Sequence, residues 1–195
     1  MIETCGSLGD LLGQSAPRLM STALDAYPRN YDDVLVDVHE RIAESGRATK
    51  LDLAALITWK HVQNAPWMVD LLELPGAVIE GATRNAFTTD IDDQQRIHSL
   101  AALPGFGSGG AFTSVLFAAW DPKMYGVYDK LVMANRPQVV NQHCTCNWEN
   151  LPTYWCHLRE ISAELQTALP MSEAPWTPRK VDMAMWKLKA PAIQN

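Results

Sequence analysis

The sequence predicts an all-α fold. Apolar residues recur at helical spacing in segment after segment, as with Val34, Leu35, Val38 and Ile42, which line one helix face. No stretch alternates apolar and polar residues for long enough to make a strand, and the run around Gly126-Val127-Tyr128 is too short. Glycines and prolines punctuate the helical segments. With 195 residues, 47% hydrophobic and 19% charged, the chain can bury one sizeable core. The expectation is a single domain over 1–195, a compact helical bundle in two lobes.

Taken in order, residues 1–29 read as an arm with one short helix near 17–25. A helix over 31–45 follows, ended by Gly46 as a C-cap glycine. A second covers 51–63, with Leu53, Leu56 and Ile57 on adjoining turns, and Asn64-Ala65-Pro66 breaks it. Pro75-Gly76 precedes a helix over 77–87. The next, 90–103, opens with Asp90, Asp92 and Asp93, which suit the positive end of a helix. Further helices cover 110–120, 129–135 (limited by Pro137), 154–169 (between Pro152 and Pro170) and 181–188. There is no internal repeat and no low-complexity segment.

The most informative stretch is Leu100-Ala101-Ala102-Leu103-Pro104-Gly105-Phe106-Gly107-Ser108-Gly109-Gly110. A helical pattern runs into it and restarts at once. Glycine adopts backbone angles closed to other residues and keeps no side chain between backbone and ligand. The restarting helix aims unpaired N–H groups outward, which suits a phosphate. The N–H groups of Gly105, Phe106, Gly107, Ser108, Gly109 and Gly110 are therefore candidate phosphate contacts. The plainer reading is a tight turn between core helices. A carboxylate, Asp129, closes the loop after the second helix, 22 residues after Gly107. As the residue before Lys130-Leu131-Val132-Met133, it is also a favoured helix N-cap.

This order of parts resembles the helix-hairpin-helix DNA glycosylase superfamily, the endonuclease III and 8-oxoguanine DNA glycosylase type. The family pattern is Leu-Pro-Gly-Val-Gly, a helix, then a loop ending in Val-Asp. Leu103, Pro104, Gly105, Phe106 and Gly107 match it, with the hairpin motif at about 91–120 and the loop at about 121–130. The loop departs: where the family has Pro-Val-Asp, this chain has Val127-Tyr128-Asp129. The resemblance implies that Asp129 is the catalytic carboxylate. It would stabilise the sugar cation as the N-glycosidic bond breaks and help bring water to C1′. Relatives that also cut the strand carry a lysine at the position of Gly109. Glycine forms no Schiff base, so the resemblance implies a monofunctional enzyme that leaves an abasic site. It further implies double-stranded DNA as partner and no cofactor. A monovalent cation would sit on hairpin carbonyls near Ala101, Leu103 and Phe106.

Base flipping needs a filler for the vacated stack and a pocket for the base. Gln63 and Asn64 are candidate fillers. Trp59, Trp67 and Tyr128 are candidate pocket residues, drawn from a chain with seven tryptophans. Lys130 beside Asp129 is a candidate DNA contact. The resemblance implies a substrate base that is either a repair lesion or a modified base of invading phage DNA, and the sequence does not choose between them. The alternatives are a non-catalytic helix-hairpin-helix DNA-binding protein and a helical interaction protein.

The net charge of −6 counts against a nucleic-acid binder, but local field matters more than the total. Arg179, Lys180, Lys187 and Lys189 are candidates for a phosphate-facing patch or a solvated helix face. His143-Cys144-Thr145-Cys146 and Cys156-His157 carry metal-ligand chemistry, but their spacing matches no standard zinc knuckle. The family's iron–sulfur cluster needs four cysteines; here three lie in the region and Cys5 is far away. The expectation is free thiols and no metal. His61 and His98 read as structural or surface residues. No apolar run is long enough to span a bilayer, and Met1-Ile2-Glu3-Thr4-Cys5 begins no secretory signal. A cytoplasmic, nucleoid-associated protein is expected.

Overall fold

The computed structural model describes residues 12–28, 30–63, 65–106, 110–141, 148–170 and 175–188. Among them the chain is helical: α1 (Ala16–Asp25), α2 (Asp33–Ser45), α3 (Lys50–Trp59), α4 (Trp67–Glu73), α5 (Gly76–Ala86), α6 (Asp93–Ser99), α7 (Ala111–Trp120), α8 (Lys130–Asn135), a 3₁₀ turn (Arg136–Gln138), α9 (Leu151–Ala168) and α10 (Pro178–Lys187). The described residues hold no strand, only an isolated antiparallel bridge between Leu12 and Val140. No described helix is long and apolar enough to cross a membrane.

The chain divides into two compact units. One is Arg29–Asp121; the other joins Met1–Pro28 to Pro122–Asn195. In the first, α7 is the central helix, with every residue from Phe112 to Ala119 buried. An apolar helix of this kind needs neighbours on all sides. The stripe Leu35, Val38 and Ile42 places α2 against it, and α3 contributes Leu53, Leu56 and Ile57. Each such side chain contributes about 1.5–3 kcal/mol on burial. Polar groups finish the helix ends. His39 Nδ1 lies 3.0 and 2.9 Å from the carbonyl oxygens of Ala119 and Trp120, at the end of α7. The buried Arg96 guanidinium donates to the carbonyls of Ala86, Thr88 and Thr89 at 2.8, 2.5 and 3.1 Å, closing the end of α5. It also lies 4.8 Å over the Trp120 ring.

In the other unit α10 packs on α1, α8 and α9. Its core includes Met20, Val132, Trp148, Tyr154, Trp155, Leu158, Ile161, Val181 and Met185.

Several expected boundaries move, and proline is the main cause. Proline lacks an N–H that the first helical turn would leave unpaired, so it starts helices as readily as it stops them. Pro66 opens α4, a helix absent from the sequence reading. Pro152 lies inside the first turn of α9, capped by Asn150, so that helix begins at Leu151. Pro178 likewise opens α10 behind the Thr177 cap. Helix α6 is shorter than 90–103. Asp92 accepts from the Gln95 N–H in a capping box that fixes its start. Beyond Ser99 the chain descends through three-residue turns (Ala101 N–H to His98, Leu103 N–H to Leu100, Phe106 N–H to Leu103). Helix α3 ends at Trp59 rather than at 63. His61 takes the left-handed conformation, φ +53°, with its N–H on Thr58 and the Val62 N–H on Ile57. That is a Schellman ending with histidine where glycine is usual. Gly46 ends α2 at φ +68°, as expected.

Candidate functional site

The turn after α6 belongs to the unit Arg29–Asp121. Gly105 has φ +86°, and a Cβ there would press on the Trp67 indole, 2.5 Å from its Cδ2. Two independent constraints thus demand glycine: the left-handed backbone and the ring lying on it. Trp67 itself stands 5.3 Å from Phe112, and Phe106 meets Phe112 edge-on at 5.1 Å. The short helix α4 therefore supplies the indole on which the turn rests. Gly110 precedes α7 as its N-cap residue, without a side-chain cap.

Among the expected phosphate contacts, Phe106 turns inward. Its ring is fully buried and its N–H is donated to the Leu103 carbonyl. Gly107, Ser108 and Gly109 lie outside the described residues.

Asp129 belongs to the other unit. It is half-buried and caps α8: its Oδ1 accepts the Leu131 N–H at 2.9 Å and its carbonyl accepts the Met133 N–H at 3.0 Å. The N-cap reading and the placement of a carboxylate at a positive helix end are one arrangement. The residues before it, 125–128, belong to no helix or strand, and the first three are buried. Side chains from α9 and α10 satisfy their peptide groups. Trp155 Nε1 donates to the Gly126 carbonyl at 3.0 Å. Tyr154 Oη donates to the Val127 carbonyl at 2.9 Å. The Val127 N–H donates to Asp182 Oδ2. Asp182 is itself paired through Oδ1 with Arg179 Nη1 at 2.6 Å, and Arg179 Nη2 donates to Tyr27 Oη at 3.0 Å. Burial, followed by the charge of Asp182, holds the Tyr154 phenol protonated far above its ordinary range. It therefore serves as a standing donor. Gly126 is required by proximity: a Cβ would strike Leu158 and lie 2.9 Å from the Pro178 carbonyl oxygen.

Tyr128 is half-buried and edge-on to Tyr154 at 5.2 Å. Lys130 is exposed at the start of α8. Trp59 is half-buried; its Nε1 donates to the Tyr31 carbonyl at 2.7 Å and its ring meets Tyr31 edge-on. Gln63 is exposed, and Asn64 lies outside the described residues. Trp67 thus keeps company with the turn, and Tyr128 with the carboxylate. Residues Tyr154, Trp155 and Asp182 were missed from sequence. The one visible signal was the i,i+3 spacing of Arg179 and Asp182, which suits an ion pair on a helix.

Arg179 corrects the proposed basic patch. It is buried and committed to Asp182 and Tyr27, because an interior carboxylate draws the nearest cation inward. Lys180 donates to the Pro175 carbonyl at 2.7 Å, and partial burial lowers its ammonium pKa. Lys187 is exposed and Lys189 lies outside the described residues.

Of the metal-type residues, Cys5, His143, Cys144 and Cys146 also lie outside them. Cys156 is half-buried, with its Sγ 3.9 Å from Glu160 Oε1. His157 stacks on Trp148 at 4.8 Å, with Nδ1 3.3 Å from Glu160 Oε2. Among the described residues, no three His, Cys, Asp or Glu side chains gather closely enough to hold a metal ion.

No protein-family model matches the chain, and no curated protein and no solved structure matches it.

Proposed function

We propose that this chain is a monofunctional DNA glycosylase acting on a damaged or modified base in duplex DNA. The observation that carries the reading is the presentation of Asp129. Its carboxylate stands at the N-terminus of α8, and the backbone ahead of it is tied down by three side chains. A charge that is to stabilise a developing cation needs to be held in place before the reaction starts. Two features add support. The turn between α6 and α7 keeps a left-handed Gly105, and its Leu103-Pro104-Gly105-Phe106 sequence resembles the glycosylase hairpin. Asp129 follows Gly107 by 22 residues, enough for one helix and a loop.

In this reading the hairpin backbone grips a phosphate and the target base swings out of the stack. The ionised Asp129 stabilises the oxocarbenium-like sugar as the N-glycosidic bond breaks, and water completes the displacement at C1′. Gly109 supplies no amine, so the strand stays intact. A hairpin-borne monovalent cation would belong to the DNA grip.

The second reading is a non-catalytic DNA-binding relative. It is favoured by the fact that the Asp129 carboxylate already has a structural task in capping α8.

The test uses duplex oligonucleotides carrying a panel of modified bases. The protein releases one of those bases and leaves strands that break only on alkali treatment, and borohydride traps no protein–DNA adduct. Strand breakage without alkali, or a trapped adduct, contradicts the monofunctional assignment. An absence of abasic sites across the panel, with DNA still bound, favours the second reading.

A further inference from the structure

The approach to Asp129 is built in an uncommon way. Buried peptide groups outside helices and sheets must find other partners. Here Val127 has both of its peptide polar groups tied to side chains: its N–H to Asp182 and its carbonyl to Tyr154. The neighbouring Gly126 carbonyl is held by Trp155. Two residues later the chain is tied again, at Asp129, by the first turn of α8. Only Tyr128 lies between the two ties, and its ring rests edge-on against Tyr154.

Stability alone does not call for this arrangement. Asp182 is only 1% exposed, and a buried charge is costly even when paired. A buried ion pair with directed bonds to backbone fixes geometry better than it adds stability. We infer that Tyr154 and Asp182 are positioning residues for the Asp129 carboxylate, acting through the Val127 peptide. The inference rests on the glycosylase reading for its catalytic consequence. The clamp itself is a physical claim about residues 127 to 131.

Replacing Asp182 would strand Arg179, so the informative variant is Tyr154→Phe. It keeps the ring and its contacts with Tyr128 and Trp148 and removes one hydroxyl. Three quantities are read on the 195-residue chain, in wild type and variant. The first is amide hydrogen exchange at Val127, Tyr128, Asp129 and Leu131. The others are the single-turnover excision rate and DNA affinity. Exchange at these amides rises about tenfold, while α10 keeps its protection. Excision slows by about ten- to a hundredfold, as expected when a reacting group is misplaced by a fraction of an ångström to an ångström. Affinity for DNA stays within about twofold, because the hydroxyl removed is not one of the candidate phosphate contacts.

Unchanged exchange in the folded variant overturns the clamp, whatever the activity does. Faster exchange with undiminished excision overturns the positioning role. No excision by the wild-type chain overturns the glycosylase reading and the catalytic consequence together, and the exchange data then still decide the clamp.

Discussion

Gly105 and Val127 are both held in place by side chains from elsewhere in the sequence, but by different forces. At Gly105 the constraint is a face of indole against bare backbone, with Phe106 and Phe112 alongside. Such contact is non-directional and depends on volume. At Val127 the constraint is a set of directed hydrogen bonds from Tyr154 and to Asp182, with Arg179 and Tyr27 behind them. An apolar seat suffices for a turn that must offer a shape. A polar seat costs desolvation and returns angular precision, which on the proposed function suits the segment that carries the Asp129 charge.

The difference makes the two seats fail differently. Asp182→Ala leaves the Arg179 guanidinium buried without its carboxylate and the Val127 N–H without an acceptor. The expected loss is about 3–5 kcal/mol in urea denaturation. A loss below about 1 kcal/mol would show that water replaces the carboxylate and that the polar seat is dispensable.

Gly105→Ala costs less, about 2–4 kcal/mol, from left-handed backbone strain and overpacking against Trp67. The apolar seat is then dissected by a double-mutant cycle. In a Trp67→Ala background the overpacking disappears, and the same change costs only the backbone part, about 1–2 kcal/mol. Equal costs in both backgrounds would mean that the indole does not constrain the turn.

The smallest effect belongs to Thr113, in the first turn of α7. Its hydroxyl is fully buried and has no hydrogen-bond partner among the described residues. Thr113→Val conserves the shape and removes the orphan, so stability rises by about 1 kcal/mol. A fall in stability would give the hydroxyl a hidden polar role and blur the contrast between the two seats.

Local chemistry made part of this legible in the sequence. The stripe Leu35, Val38, Ile42 and the terminal Gly46 define α2 without any distant contact, and Asp129 reads as an N-cap from its neighbours alone. Proline was the ambiguous signal. Pro66 and Pro152 read as a break and a border, yet they open helices, as Pro178 does, because the missing N–H is harmless there. The seats were out of reach for a different reason. Trp155 lies 29 residues from Gly126, Tyr154 lies 27 from Val127, and Asp182 lies 55 from it. No periodicity encodes pairings at such separations. For the same reason the basic spacing near Arg179 suggested a surface patch. Only the fold reveals that its charge is spent inside.

On the proposed function, Asp129 is the carboxylate of an N-glycosylase. The most direct test compares wild type with Asp129→Asn for alkali-revealed abasic sites in single turnover on a released base. The amide keeps the shape, keeps an oxygen for the Leu131 N–H and removes the charge. The excision rate then falls by about a hundredfold or more, with DNA affinity nearly unchanged. Full excision by the folded Asp129→Asn protein would contradict that assignment.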